Sequence, residues 1–342
     1  MAIGVVVVTY NASGVILDCL ESLMANRDSD LRVVVVDNAS TDDTVQTIRD
    51  WATGKRRWEP SAGQPFEPVS HGPVTLVDRT PEAGATNIGL IVSPENHGFA
   101  GGVNLGLKAL IAHPDIEYFW VLNPDCVAEN LTAATLESFA RETGRFGVIG
   151  GRVYYATPPL MIQSDGGRIN LWTGTCIPYN MTDIGRDVVP PKPGTIDYVS
   201  GAHMFLSRAF IERVGLMPEN YFLYYEEMDW CLRRGDLPLL LCPEGAVHHV
   251  GGHTIGSATI NQGPSPMAAY FMGRSRMLFV ARFRLAALPI AFLYSSAKAI
   301  RHILRGQTKT GLALLRGTFL IGPSAEIRQR IGRNNLPKGK AV

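Results

Sequence analysis

The stretch R32-V-V-V-V-D-N-A-S40 decides the fold. Four consecutive valines leave no polar face, so a strand made of them must be covered on both sides. The same pattern opens the chain in I3-G-V-V-V-V-T-Y-N11. Between the two runs, Val15–Met24 carries apolar residues at helical spacing. After the second run, Ser40-Thr41-Asp42-Asp43 caps a helix that extends to about Trp51. Strand, helix, strand, helix with all-apolar strands predicts an α/β fold built on a mostly parallel, Rossmann-like central sheet with helices on both faces.

Residues Ala52–Asn87 break this rhythm, being rich in Gly and Pro without periodicity, and read as a surface insertion. Regularity resumes with a strand at Ile88–Val92, a glycine-rich loop N96-H-G-F-A-G-G102 and a helix from Val103 to Ala112. The strand E117-Y-F-W-V-L122 follows and ends at Asn123-Pro124-Asp125. In open α/β sheets, ligands gather beyond the carboxyl ends of the strands. Here those ends are Thr9-Tyr10-Asn11, Asp37-Asn38, Asn96-His97-Gly98 and Asn123-Pro124-Asp125. Turn chemistry explains any one polar end; four polar ends in one sheet predict a binding crevice.

The bulk numbers bound the setting. The chain has 342 residues, 46% of them hydrophobic, enough for one large core. Its net charge of +1 conceals an asymmetry. From Tyr270 to the end stand fourteen Lys/Arg and one acid, Glu326, so 14 − 1 = +13, which leaves −12 for the first 269 residues. A basic end on an acidic body predicts an anionic partner there. Residues Arg274–Arg305 mix Arg and Lys with Leu, Ala, Ile and Phe, which fits an amphipathic helix on anionic lipid better than a core helix. Nucleic acid is disfavoured, since no binding module is present. Five scattered cysteines without a C-x-x-C pair point to a reducing compartment and no zinc site. The apolar start stops too early for a signal peptide, and Leu285–Ala297 is too short to span a bilayer. The expectation is a cytoplasmic protein, peripheral at the inner face of the membrane.

Several residues suit a nucleotide ligand. Asp37, an acceptor at a strand tip, suits a base or ribose contact. The segment from Asn96 to Gly106 offers four glycines, two side-chain amides and a helix N-terminus, an arrangement that favours a diphosphate. It is neither G-x-G-x-x-G nor a P-loop. Asp125 sits where a carboxylate could hold Mg²⁺ or Mn²⁺ against that diphosphate.

Further on, F222-L-Y-Y-E-E-M-D-W-C-L-R-R234 crowds three acids behind an aromatic run. On a helix Glu226, Asp229 and Arg233 share one face, and Glu227 points about 100° away. Asp229 and Arg233 then form an i, i+4 pair worth a few tenths of ~1 kcal/mol. Dipole and pairing give all three acids a purely structural reading beside the catalytic one.

Together, T9-Y-N11, D37-N-A-S40, N96-H-G-F-A-G-G-V-N104, L122-N-P-D125, Y198-V-S-G-A202, Y221-F-L-Y-Y-E-E-M-D-W-C-L-R233 and H248-H-V-G-G252 resemble the family 2 glycosyltransferases of the GT-A fold. The resemblance runs in order over residues 3–280 and is closest to the N-P-D subgroup that includes bacterial rhamnosyltransferases of cell-surface polysaccharide synthesis.

It implies an inverting, metal-dependent enzyme. The donor would be a nucleotide-diphospho-sugar, dTDP-rhamnose first and a UDP-sugar next, and the acceptor a glycan or lipid-linked glycan. Thr9, Tyr10, Asn11, Asp37 and Asn38 would cradle the nucleoside, and Asn96, Gly98, Gly101 and Asn104 would border the diphosphate. Asn123 and Asp125 occupy the ends of the family's D-x-D triplet, with Asn in place of the first Asp, so Asp125 is the main carboxylate on the metal. Of His248 and His249, the first aligns with the family's metal histidine and the second is the alternative. Arg274 resembles a donor-side arginine downstream of Tyr270. Gly201, Ala202 and Trp230 fall on the acceptor side. The family's acid pair falls on Glu226-Glu227, with Glu227 as general base and Asp229 as runner-up.

The expected organisation is a catalytic domain over 1–269, divided at 126/127 with an insertion at 52–87, followed by a basic helical segment over 270–342. Two other functions stay open at this point. A nucleotidyltransferase would carry a basic glycine-rich signature after the first strand, and V8-T-Y-N-A-S-G14 has no Lys or Arg. A non-catalytic sugar-nucleotide or glycan-binding protein would lack the acids or Asp125, and both are present.

Overall fold

A computed structural model describes residues 2–60, 63–78, 81, 87–251 and 263–332. The first half contains β1 (Ala2–Thr9), α1 (Ile16–Ala25), β2 (Asp30–Asp37), α2 (Thr44–Ala52), β3 (Thr75–Val77) and β4 (Asn87–Val92). There follow α3 (Gly98–Ile111), β5 (Ile116–Leu122), β6 (Cys126–Ala128), α4 (Thr132–Thr143) and β7 (Val148–Tyr155). The short strands β8 (Ile162–Ser164), β9 (Gly167–Asn170) and β10 (Thr175–Pro178) lead to β11 (His203–Ser207) and α5 (Arg208–Val214). The chain closes with α6 (Glu226–Leu232), β12 (Leu239–His249), α7 (Pro266–Phe283), α8 (Leu288–Leu304), α9 (Thr308–Thr318) and α10 (Ala325–Arg330).

The main sheet runs β3-β4-β2-β1-β5-β11-β7-β12-β6, with β8 alongside β7. From β3 to β5 every pairing is parallel. Antiparallel β11 then joins β5 to β7, and β12 lies parallel to β7. The valine runs behave as their composition requires. Along β1, Ile3, Val5 and Val7 enter one core with α1 and α2, whereas Val6 and Val8 enter a second core with α3. Side chains alternate across the sheet, so two covered faces demand an unbroken apolar strand.

The parallel register sets Val7 against Leu122, so the residues after β1 and after β5 emerge side by side. Helices α1 and α2 cover one face and α3 the other, so the chain changes sides between β1 and β5. A crevice opens at such a switch point.

Three expectations change. The glycine-rich loop is helical: α3 begins at Gly98, five residues before the predicted start. An added Cβ on Gly102 would meet Val8 at 2.5 Å, and one on Gly106 would meet Val6 at 2.6 Å. These glycines seat α3 on β1; they do not form a phosphate loop. The 52–87 insertion contains the edge strand β3, and its Trp58 stacks on Phe66 and donates to Asp18 at 2.6 Å. It is anchored onto α1. Finally, the boundary at 269/270 falls inside α7, most of which is buried. Helix α7 shares apolar clusters with residues 221–225, with α8 and α9, and with Ile327 and Ile331. The C-terminal helices are thus packed onto the 221–225 turn.

Candidate active site

A cavity of about 440 Å³ opens at the carboxyl ends of β1 and β5. Tyr10, Asn11 and Asn38 line one side, Asn123, Asp125 and His249 another, and Gly201, Ala202, Glu226 and Glu227 a third. The strand ends singled out in the sequence therefore converge on one space with the acid pair.

Not every nucleoside-side candidate faces that space. Thr9 and Asp37 lie behind it, fully buried, with the Thr9 hydroxyl donating to Asp37 Oδ1 at 3.0 Å. Asp37 Oδ2 accepts the Ser40 amide at 3.0 Å, so this carboxylate pins the loop that follows β2. Asn38 reaches the cavity and also donates to Asn96 Oδ1 and the Gly98 carbonyl. Asn96 lines the cavity as well, and its Oδ1 accepts the Gly98 amide at 2.9 Å. The Phe99 amide donates to the Phe222 carbonyl at 3.0 Å. The start of α3 thus spends these donors on the protein itself.

Two residues assigned to the diphosphate stand elsewhere. Asn104 is buried and holds Met217 and Glu219, and Gly101 packs on His97. The reason is the early start of α3, which rotates both away from the crevice.

The metal candidates separate cleanly. His249 Nε2 lies 3.1 Å from Asp125 Oδ1. Its Nδ1 donates to Gln163 Oε1 at 2.6 Å, and the Asn123 amide stands 3.4 Å from Nε2. His248 points to the other face of β12, where it meets Glu129 at 2.9 Å and packs on Tyr154. Of the two candidates it is therefore His249, not the His248 favoured by the family alignment, that stands beside Asp125. Pairing of β12 with β6 sets His249 opposite Cys126, the residue after Asp125, and neighbouring strand residues face opposite ways.

This donor set fits a hard divalent cation. With Nδ1 held by Gln163, the ring turns Nε2 toward the Asp125 carboxylate, so these two ligand atoms are the ones that would face a cation. An outer partner fixing the ring in this way is a recurring feature of metal sites. Burial raises the Asp125 carboxyl, but the charge and hydrogen bond of His249 and nearby backbone amides outweigh it and hold it below the ordinary range. Among the described residues, Asp125, Cys126 and His249 have ligand atoms within 4.8 Å of one another. Cys126 is fully buried, and burial keeps its thiol protonated well above the ordinary range. Without a thiolate, oxygen and imidazole donors remain, a set that suits Mn²⁺ or Mg²⁺ better than a structural zinc.

The acids also sort themselves. Helix α6 follows a turn in which Phe222, Tyr224 and Tyr225 all have positive φ, at 72°, 65° and 74°. Bulky residues rarely adopt this conformation, and their clustering marks a site whose surroundings dictate its shape. Helix α7 supplies that constraint. The Arg274 guanidinium donates to the Asn220 and Tyr221 carbonyls at 3.1 and 3.0 Å, and the Ser275 hydroxyl to the Leu223 carbonyl at 2.8 Å. Arg276 donates to the Tyr225 hydroxyl at 3.1 Å. Arg274, expected on the donor side, therefore braces the 220–225 turn and is not among the residues lining the cavity.

The turn delivers Glu226 and Glu227 to the cavity wall and turns Asp229 inward. Asp229 is fully buried and accepts from Tyr221 Oη at 2.7 Å and from Arg233 Nε at 2.7 Å, with Arg282 Nε at 3.3 Å. It anchors the turn, and the runner-up base is not among the residues lining the cavity. Trp230, placed on the acceptor side, is instead a core residue against Phe210 whose indole N–H caps the Gly215 carbonyl at 2.9 Å. Burial, together with the neighbouring charge of Glu227, pushes Glu226 well above the carboxylate range, and its Oε2 has no hydrogen-bond partner among the described residues. Burial raises Glu227 to about 7, opposed by the backbone amides of Glu227 and Met228. Gly201 borders this carboxylate: a methyl group there would lie 3.5 Å from Glu227 Oε1.

The segment from Gly4 to Pro60 matches the family model described as Glycosyl transferase family 2. Over 153 residues the chain is 26% identical to the low-salt glycan biosynthesis hexosyltransferase Agl10 of Haloferax volcanii, which is 43% of this chain and 46% of that protein. It thus spans about half the length of that curated relative. Among solved structures it is similar to the mannosyltransferase PcManGT of Pyrobaculum calidifontis in complex with GDP-Man and Mn²⁺, with a TM-score of 0.50 and 15% identity. That likeness covers 96% of this chain and 78% of the other. S. aureus TarS 1–349 in complex with UDP-GlcNAc aligns at a TM-score of 0.48 and 16% identity, over 97% and 78% of the two chains. The fold is that of the GT-A glycosyltransferases.

Sequence reading overlooked three parts of the site. Gln163 orients His249 from a short strand whose composition carries no metal signal. Arg330 and Ile331 line the cavity from the far end of the chain, and the Tyr10 hydroxyl donates to the Arg330 carbonyl at 2.7 Å. The i, i+4 pair Ile327 and Ile331, both buried, is the one sequence sign that α10 packs inward. The brace from Ser275 and Arg276 had no signal beyond its place in an apolar helix. The H248-H-V-G-G252 motif ends at Gly252, outside the described residues.

Proposed function

We propose that this chain is an inverting, metal-dependent glycosyltransferase that moves a sugar from a nucleotide diphosphate to a hydroxyl of a glycan or lipid-linked glycan. The observation that carries the reading is a single cavity whose walls join Tyr10, Asn11 and Asn38, the Asp125–His249 pair and the raised Glu227 carboxyl.

The donor's nucleoside end would rest against Tyr10, Asn11 and Asn38. Asp125 and His249 would hold Mg²⁺ or Mn²⁺, which offsets charge developing on the leaving diphosphate. Glu227 accepts the acceptor's O–H proton as that oxygen bonds the anomeric carbon. The bond from that carbon to the diphosphate oxygen breaks on the opposite face, so configuration inverts and no covalent nucleophile is required. A base with a pKa near neutrality is matched to this work. Buried Glu226, kept protonated by its surroundings, limits the negative charge beside the base.

The N-P-D resemblance makes dTDP-rhamnose the first donor to test in cell-surface polysaccharide synthesis, and the likeness to a mannosyltransferase makes GDP-mannose the second. UDP-GlcNAc completes the panel. The test is release of nucleoside diphosphate from each donor, with Mn²⁺ and with chelator. Sugar transfer or slow hydrolysis from one donor, abolished by chelator, is the expected result. Release of pyrophosphate would indicate nucleotidyl transfer, and binding without turnover would indicate a binding protein.

A further inference from the structure

The C-terminal helices carry an arrangement that sugar transfer does not require. Helix α8 buries its small residues, Ala291, Ser295 and Ala299, and exposes Leu293, Ile300 and Leu304 at 67%, 52% and 81%. A helix packed at the surface of a water-exposed protein does the reverse. The inner face is closed tightly: a Cβ on Gly311 of α9 would meet the Ala299 carbonyl at 2.7 Å, and Arg276 donates to Ser295 Oγ at 2.9 Å. This packing fixes which side of α8 faces outward.

The exposed row continues with Leu285, Ile290, Leu312, Phe319, Leu320 and Ile321. Phe292 of α8 packs edge-on against Phe319, which joins the two parts. Arg284, Arg301, Arg305, Lys309 and Arg316 stand exposed along the same elements. No Asp or Glu occurs between Glu244 and Glu326. Large aliphatics interleaved with uncompensated cations match an interface that is apolar below and anionic above. A second copy of the chain fits poorly, because the same row of cations would face itself.

We infer that the outer face of α8 and α9, with the Phe319–Ile321 tip, docks on an anionic lipid surface. The apolar row enters the acyl boundary, and the flanking arginines and lysines pair with lipid phosphates.

The full chain is mixed with vesicles of phosphatidylcholine alone or of phosphatidylcholine with phosphatidylglycerol, at rising salt, and bound protein is separated by flotation. Light scattering reports the oligomeric state without vesicles. Binding to anionic vesicles alone is expected, weakening with salt, with each cation neutralised by Arg→Gln costing about fivefold in partition. The doubly substituted Leu293→Glu, Leu304→Glu chain should lose more than tenfold, as burying a charge requires, while keeping its circular dichroism. Equal binding to both vesicles, no binding, an unaffected double variant, or a stable dimer in place of binding would overturn the inference. No sugar donor is present, so the result is independent of the proposed transfer reaction.

Discussion

His249 Nε2 lies 3.1 Å from Asp125 Oδ1, and its other ring nitrogen is held by Gln163 at 2.6 Å. This pair is where the proposed metal would be held. His249→Ala and Asp125→Asn should each abolish Mn²⁺ binding measured by electron paramagnetic resonance, and His248→Ala should leave it intact. Gln163→Ala, which frees the ring, should weaken binding by about 10–100-fold. Binding lost in His248→Ala but not in His249→Ala would reverse the assignment.

The Asp229 carboxylate is buried with Tyr221, Arg233 and Arg282 around it. Asp229→Asn should therefore cost stability, roughly 3 kcal/mol, the low end for a broken buried pair because both arginines keep some solvent. Urea denaturation would read this. A fully stable Asp229→Asn protein that has lost only turnover would return this acid to the chemistry.

Gly98 has φ +76°, and a Cβ there would sit 2.4 Å from the Phe222 carbonyl oxygen. Gly98→Ala should push the 222–225 turn aside and cost about 1–3 kcal/mol of strain, with turnover falling as the acids shift. Gly72→Ala, with nothing within 4 Å of its Cβ, should be silent in both assays.

Glu227 also sets a pH dependence. Its carboxyl rises from 4.5 unfolded to about 7 folded, so the folded state holds the proton more tightly. The stability this contributes is complete below about pH 4.5 and is lost as pH rises through about 7. The melting temperature of Glu227→Gln relative to the natural chain should therefore climb over that interval and then level off. Turnover of the natural chain should rise with pH through the same region, where the base loses its proton.

Much of this architecture is legible in the residues. The valine runs of β1 and β2 announce a doubly covered sheet because burial on both faces removes every polar position. The acid pair at 226–227 and Asp125 stand out through the family resemblance, because helix dipole, ion pairing and turn chemistry alone would also account for these carboxylates. What could not be read depends on long-range packing. The glycines of α3 look like a loop until Val6 and Val8 are seen pressing against them. Adjacent histidines on one strand face opposite ways, and only the register with β6 shows which one meets Asp125. Arg274 looks like a donor ligand until the turn it braces folds against it.

The central claim is that Glu227 takes the acceptor's proton. Glu227→Gln keeps the size of the side chain and removes the base. Turnover of the donor identified by the panel should fall by about 10²–10⁴-fold, with the dissociation constants for donor and Mn²⁺ unchanged. A Glu227→Gln chain that transfers sugar at the natural rate would contradict the account.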